Sequence, residues 1–329
     1  MGPGRLSDMT KSAHVSRLVA CYGAIAACVP YLTLKIAWLA GSGVGTVGHG
    51  TAEMRDTRHV VGNAVTVAMD LAAVVVALAF TYRWGRRLPA WLVLVPSWVA
   101  TGLLAPIALG APLGVLVQGF AGGSPAAADN GLRGWVYAIV YGGFTLQAVL
   151  LLSAFVLYAR NRWAAVFRLR TADLAARSAR SPLVTAVLAA GYGVLQVGWA
   201  VSPGVPGGDP AAVETATQQT FWATQGVLSI AGAVGLLALA RRWGTGRLLA
   251  PLAATWVGSG VMVASGLYAA TVEVGAAPVR LLGVVTGLLV GAATLRVLAG
   301  HSRTSPPQPA NAVPTATIAA PTSATSSAV

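Results

Sequence analysis

Long apolar stretches separated by short charged segments make up most of this chain of 329 residues. Each stretch holds about 20 residues, which at about 1.5 Å per residue is enough to cross roughly 30 Å of hydrocarbon. Lipid offers no partner to unpaired backbone groups, so helices are expected. The pattern predicts eight transmembrane helices, approximately at Arg17–Ala40, Val60–Tyr82, Pro89–Gly110, Trp135–Tyr158, Pro182–Val201, Phe221–Ala240, Leu248–Ala270 and Val279–Leu298.

Composition supports the same interpretation. Apolar residues make up 56% of the chain and charged residues 9%, whereas a soluble domain carries about 25% charged residues. The net charge of +13 is typical of some nucleic-acid-binding proteins, but the basic residues lie mostly in short segments between apolar spans. The positive-inside rule explains them there, so no nucleic-acid partner is predicted.

The basic residues also predict an orientation. Seventeen Lys and Arg fall on one side of the predicted spans and four on the other, while Lys35 falls inside a span. The basic side is expected in the cytoplasm. An even number of spans then places both the N and the C terminus in the cytoplasm of a multi-pass plasma-membrane protein.

The two halves of the chain resemble each other at offsets of 158 to 161 residues. Tryptophans are rare enough to carry weight, and three of the ten pair in order: Trp38 with Trp199, Trp84 with Trp243, and Trp98 with Trp256. Each half has four spans and enters the membrane in the same direction. The predicted fold class is therefore an all-α integral membrane protein, with eight transmembrane helices in a 4+4 parallel tandem repeat.

These boundaries divide the chain into five segments: a cytoplasmic N-terminal segment (1–16), a first four-helix half (17–158), a basic cytoplasmic linker (159–181), a second four-helix half (182–299) and a tail (300–329). The linker from Arg160 to Arg180 reads equally well as a basic interfacial helix on anionic lipid headgroups and as a solvated linker. The tail is rich in Pro, Ser, Thr and Ala and is expected to be disordered.

Asp70 lies near the middle of the second predicted span, where an aspartate costs about 2.5–3.5 kcal/mol. Lys35 on the adjacent helix is the natural partner. Three interpretations remain open. The two residues have a structural role, either as an ion pair or with the lysine snorkelling over a protonated Asp70, or they belong to a substrate or proton-coupling site. In the third, a span boundary is misplaced. The corresponding positions in the second half are Gln196 and Ser229, so a charged site would be asymmetric.

Other intramembrane polar residues are expected to hydrogen-bond between helices or to line a site: Asn63, Gln147, Gln196 and Gln225. The candidates for a substrate site or ion pair are thus Asp70, Lys35, Gln196 and Asn63. Gly283, Gly287 and Gly291 repeat at four-residue spacing and predict close helix packing, within the chain or across a homodimer.

Signatures of enzymes, metals and cofactors are missing. The sequence has no His-Glu-x-x-His, no Gly-x-Ser-x-Gly and no intramembrane histidine, so no catalytic residue, cofactor or intramembrane metal is predicted. His49, Glu53, Asp56 and His59 share one predicted outer loop, but their spacing matches no established metal site and favours a plain polar loop.

Three segments, Pro30–Gly41, Arg87–Leu92 and Pro96–Gly102, resemble multi-pass membrane proteins of high-GC actinobacteria. No activity is attached to that group, so the resemblance implies a location, the plasma membrane of a Gram-positive type cell. Parallel repeats in transporters favour a small-solute permease or carrier with a site between the halves near Lys35 and Asp70. The alternative is a non-transporting scaffold or sensor that recruits a cytoplasmic partner.

Overall fold

A computed structural model describes residues 3–125, 131–174, 180–202, 204–210, 213–243, 246–272 and 277–304. These residues are helical, with no strand among them beyond two isolated bridges. Eight helices are long and apolar enough to cross a membrane, as predicted. They are α1 (Pro3–Leu39), α2 (Thr57–Thr81), α3 (Ala90–Ala121), α4 (Gly134–Arg162), α5 (Arg180–Val201), α6 (Ala216–Arg241), α7 (Leu249–Val272) and α8 (Ala277–Thr304).

The ends of most helices lie close to the predicted bounds, with two differences. α1 begins at Pro3, so the helix continues into the segment assigned to the N terminus, although its apolar part is Val15–Leu39. α3 ends at Ala121 and not at Gly110, and the helix contains Pro96, Pro106 and Pro112. Of the predicted disordered tail, residues 300–304 end α8, and 305–329 lie outside the described residues.

The helices pack in two groups joined by α3. Helices α1, α2 and α4 pack together around Cys21, Phe80 and Tyr158, and α5 to α8 form a second group around Trp199 and Met262. The main contact between the first four and the last four helices is made by α3, which packs against α6 and α7. Residues 40–56 and 204–210 lie on the side predicted to face outward, which we call the outer side.

Where α3 crosses α7, two tryptophans form matching hydrogen bonds. The indole Nε1 of Trp98 donates to Ser259 Oγ over 3.0 Å, and the indole Nε1 of Trp256 donates to Thr101 Oγ1 over 3.3 Å. Gly102 faces a glycine of α7 at the same crossing. Small residues let helix backbones approach closely in a membrane, where van der Waals contact replaces the hydrophobic effect as the main attraction between helices.

The described part of the linker, residues 163–174, does not form the continuous interfacial helix that was one interpretation of its sequence. It contains two short 3-10 turns, Val166–Arg168 and Thr171–Asp173. The backbone N–H of Thr171 donates to the Gly246 carbonyl over 3.1 Å. The linker is therefore attached to the α6–α7 loop, since local hydrogen bonds and a buried Leu174 hold it there.

Candidate functional site

Lys35 lies about one turn from the outer end of α1, between two aromatic rings of its own helix. Its Nζ is 5.0 Å from the ring centroid of Tyr31 and 5.1 Å from that of Trp38. The same Nζ donates to Oδ1 of Asn63 on α2 over 2.6 Å. Ring faces stabilise a desolvated cation electrostatically, so this arrangement holds the ammonium group within the outer part of the bundle.

Asp70 lies two helical turns from Asn63 on the same face of α2, about 10.5 Å further along the axis. It is 5% exposed, and Nε2 of Gln147 on α4 donates to its Oδ1 over 3.5 Å. Gln147 is itself 3% exposed. The carboxylate thus lies inside the group formed by α1, α2 and α4.

The direct partnership predicted for Lys35 and Asp70 does not form. Lys35 bonds to Asn63, which lies nearer to its own depth, and Asp70 is bonded by Gln147. These residues lie among α1, α2 and α4, whereas α3 makes the main contact with the second half. A site between the two halves stays a prediction. We call Lys35, Asn63, Asp70 and Gln147 the polar column.

Three polar atoms of the polar column are buried and have no hydrogen-bond partner among the described residues. They are Asp70 Oδ2, Gln147 Oε1 and Asn63 Nδ2. Such atoms are rare in native structures, since a buried donor or acceptor that lacks a hydrogen bond costs about 1–3 kcal/mol. The polar column is therefore able to accept and donate further hydrogen bonds to a bound molecule.

A narrow apolar cleft adjoins the polar column at Gln147. It lies between α1, α2 and α4 and is too narrow in this conformation to admit a water molecule. Its lining includes Cys28 and Ala73. Cys21 and Cys28 are both free and buried, and the Cys28 thiol donates to the carbonyl of Ala24 over 3.2 Å.

Polar residues of the second half form hydrogen bonds with one another. Gln196, which the predicted repeat matches to Lys35, is fully buried and accepts a hydrogen bond of 2.6 Å from Ser229 Oγ at its Oε1. Its Nε2 donates to Ser265 Oγ over 3.3 Å. Gln196, a candidate from the sequence, thus lies in an internally paired cluster and not beside Asp70.

Arg280 is a buried cation at the start of the predicted span Val279–Leu298, where the charge count placed it among the four basic residues of the outer side. It is 1% exposed, near the start of α8, and its guanidinium carbon lies 5.1 Å and 4.7 Å from the ring centroids of Trp199 and Trp222. Its Nε and Nη2 both donate to the Gly207 carbonyl, over 3.1 Å and 3.0 Å. Nothing in the linear sequence brings these residues together, because they come from three helices and a loop.

The glycine positions predicted to pack closely differ in their surroundings. A Cβ at Gly283 would meet the ring of Tyr192 on α5, and one at Gly287 would lie 2.6 Å from the Ser259 carbonyl oxygen on α7. A Cβ at Gly291 would have no neighbouring atom within 4 Å. The first two contacts lie within the chain and not across a dimer.

The outer loop between α1 and α2 has two local pairs. His49 Nε2 lies 3.2 Å from Glu53, and His59 Nδ1 lies 4.0 Å from Asp56. Within the described ranges, no group of three His, Cys, Asp or Glu side chains is placed to hold a metal ion.

No protein-family model, curated protein or solved structure matches this chain. The geometry of the polar column is therefore the basis for a function.

Proposed function

We propose that this protein is a small-solute carrier of the plasma membrane, and that the polar column is its binding site. The supporting observation is the set of unpartnered buried atoms around Asp70. Intramembrane ionisable residues are costly and usually mark substrate or ion pathways. A purely structural ion pair would place the ammonium of Lys35 on the carboxylate, whereas the lysine here bonds to Asn63.

The proposed carrier is a tandem duplication with both termini in the cytoplasm. The α3–α7 crossing supports the duplication, because Thr101 and Ser259 are separated by the same 158 residues as Trp98 and Trp256. Each tryptophan therefore bonds to the residue three positions after the other tryptophan. Such reciprocity is the signature of an isologous contact about a two-fold axis.

Labelling of single cysteines tests the carrier proposal. With Cys21 and Cys28 replaced by alanine, Asp70→Cys is treated in intact cells with a small membrane-impermeant thiol reagent. His49→Cys serves as the exposed control and Ser229→Cys as the matched buried control. A carrier opens to the outside, so position 70 is expected to react more slowly than position 49 but far faster than position 229.

Equal and negligible reaction at positions 70 and 229, in variants that fold and insert, would contradict an outward-opening site. That result would favour the second candidate, a scaffold that recruits a cytoplasmic partner. One observation supports the scaffold: the linker is held against the Gly246 loop while Arg168 and Arg170 remain exposed. A basic surface of fixed shape suits an acidic partner or anionic lipid headgroups.

A further inference from the structure

The inner end of the polar column presents two neighbouring hydrogen-bond acceptors. Asp70 Oδ2 and Gln147 Oε1 are buried and unpartnered among the described residues, and the two side chains already touch through Gln147 Nε2. One donor group with at least two hydrogens would pair both acceptors, and a cationic one would also suit the carboxylate of Asp70. A primary ammonium group carries three N–H donors and a positive charge.

The outer end of the polar column presents donors. Asn63 Nδ2 is buried and unpartnered, and Lys35 Nζ, with three N–H donors, gives one to Asn63 Oδ1. A carboxylate is the natural complement of a cation and an amide N–H, since charge-assisted hydrogen bonds are about twice as strong as neutral ones. The two ends therefore have opposite requirements.

Lys35 and Asp70 fix the orientations of the Asn63 and Gln147 amides. These orientations make one end of the polar column a donor and the other an acceptor. If Asn63 were flipped, two donors would face each other at Lys35. If Gln147 were flipped, two oxygens would face each other at Asp70. Charged partners decide both orientations, so the acceptor end and the donor end do not exchange.

Charge balance points to a ligand that is neutral overall. With Asp70 ionised and Lys35 protonated, the two charges balance, and a bound anion or cation would add an uncompensated charge to the membrane interior. A zwitterion adds none. The rise of about 10.5 Å along the helix axis from Asn63 to Asp70 limits the ligand to a short molecule.

We propose that the polar column binds a compact zwitterion, an amino acid or similar short ammonium carboxylate, with its ammonium on Asp70 and Gln147 and its carboxylate on Asn63 and Lys35. This inference rests on the proposed carrier function and names its substrate class. The adjoining cleft is apolar and narrow, and Cys28 and Ala73 contribute to it. It favours a small apolar side chain, and binding of the ligand requires the cleft to widen.

Thermal unfolding of the purified full-length protein in detergent, with added L-alanine, tests the inference. At ten times its dissociation constant, L-alanine is expected to raise Tm by about 3 °C. L-Lactate replaces the ammonium by a hydroxyl, and glycine betaine keeps the charge but has no N–H donor. Neither is expected to raise Tm.

Variants locate the site. Asp70→Asn and Gln147→Met are each expected to raise at least tenfold the L-alanine concentration that gives the same Tm shift. Ser229→Ala, at the corresponding depth of the second half, is expected to leave that concentration unchanged. Gln147→Met keeps the volume of the side chain, so it provides the test if the charge-neutralising variant does not fold.

The outcomes separate this inference from the carrier proposal. If position 70 reacts with the thiol reagent but L-alanine does not raise Tm, the substrate class is wrong and the carrier proposal stands. If lactate or betaine stabilises the protein as well as L-alanine does, or if the response persists in both variants, the assigned contacts are wrong. If a cysteine at position 70 does not react with the thiol reagent and L-alanine does not raise Tm, both proposals fail.

Discussion

Replacing Gly102 by alanine perturbs the crossing of α3 and α7 at its tightest point. A Cβ at this position would lie 3.0 Å from the Cα of Gly260 and closer still to its carbonyl oxygen. Ordinary van der Waals contact begins at 3.4 Å. The obstacle is backbone, which cannot rotate away as a side chain can, so the two helices must separate.

The expected cost follows from three contributions. Inserting a methyl group into a packed interior costs about 1–3 kcal/mol. Separation also stretches the Trp98–Ser259 and Trp256–Thr101 hydrogen bonds. Hydrogen bonds between membrane helices contribute about 0.6 kcal/mol each. Alanine is a better helix former than glycine by about 1 kcal/mol. Gly102→Ala should therefore lower the free energy of unfolding by about 1–3 kcal/mol.

Two other glycines provide matched controls. A Cβ at Gly260 would lie 3.0 Å from the Trp98 carbonyl oxygen and 3.2 Å from the Cα of Gly102, so shifts of a few tenths of an ångström suffice. Its alanine variant should be within about 1 kcal/mol of the original. Gly291 faces open space, and Gly291→Ala should stabilise the protein by up to about 1 kcal/mol.

Reversible unfolding of the purified protein in mixed micelles, with increasing SDS and tryptophan fluorescence as the readout, measures these differences. The expected order of stability is Gly102→Ala lowest, then Gly260→Ala, then Gly291→Ala. A Gly102→Ala variant as stable as Gly291→Ala would show that the α3–α7 contact is not as tight as the structure has it.

Three further predictions concern single positions. Lys35→Met should lower the unfolding free energy by about 1–2 kcal/mol, because the buried Oδ1 of Asn63 loses its donor; a drop of about 3–5 kcal/mol would instead indicate a structural ion pair. Arg280→Lys should lower the unfolding free energy by about 2 kcal/mol, since lysine cannot reproduce the paired donors to the Gly207 carbonyl. An unchanged unfolding free energy would show that these two hydrogen bonds do not stabilise the fold. A green fluorescent protein fused after Arg87 should fluoresce, as it does only in the cytoplasm; a dark but stable fusion would reverse the predicted orientation.

The eight spans could be predicted from the sequence because hydrocarbon thickness constrains the chain residue by residue. A stretch such as Val60–Tyr82 is too apolar for water and long enough for the bilayer, and the structure places α2 at Thr57–Thr81. These criteria are local. They need no knowledge of which helix lies beside which.

The extension of α3 could not be predicted in the same way, because it depends on a contact far along the chain. Beyond Gly110, the helix packs on the first turns of α6. Gln118 Oε1 accepts a hydrogen bond of 3.2 Å from the backbone N–H of Thr217, and Gly114 lies against the same residue. The amide group thereby satisfies one of the unpaired donors at a helix start.

The depth of Asp70 was predictable, but its partner was not. Counting residues from a span end gives the position of a side chain along the helix axis and says little about the direction in which it points. Lys35 was matched to Asp70 by charge, whereas helix rotation brings it to Asn63 and brings Gln147 of α4 to the carboxylate. Helix rotation is set by packing, which a single sequence does not display.

Each half holds a cation beside a tryptophan but uses it differently. Lys35 lies over the ring of Trp38 of its own helix, and Arg280 of α8 lies over the ring of Trp199. The arginine bonds twice to a loop carbonyl, and Gln196 pairs with neighbouring serines. Those serines show that this bundle can satisfy polar groups at this depth. Among the described residues, the polar column thus keeps unpaired atoms around Asp70, whereas Gln196 is satisfied, and this contrast is the reason for proposing the site in the first half.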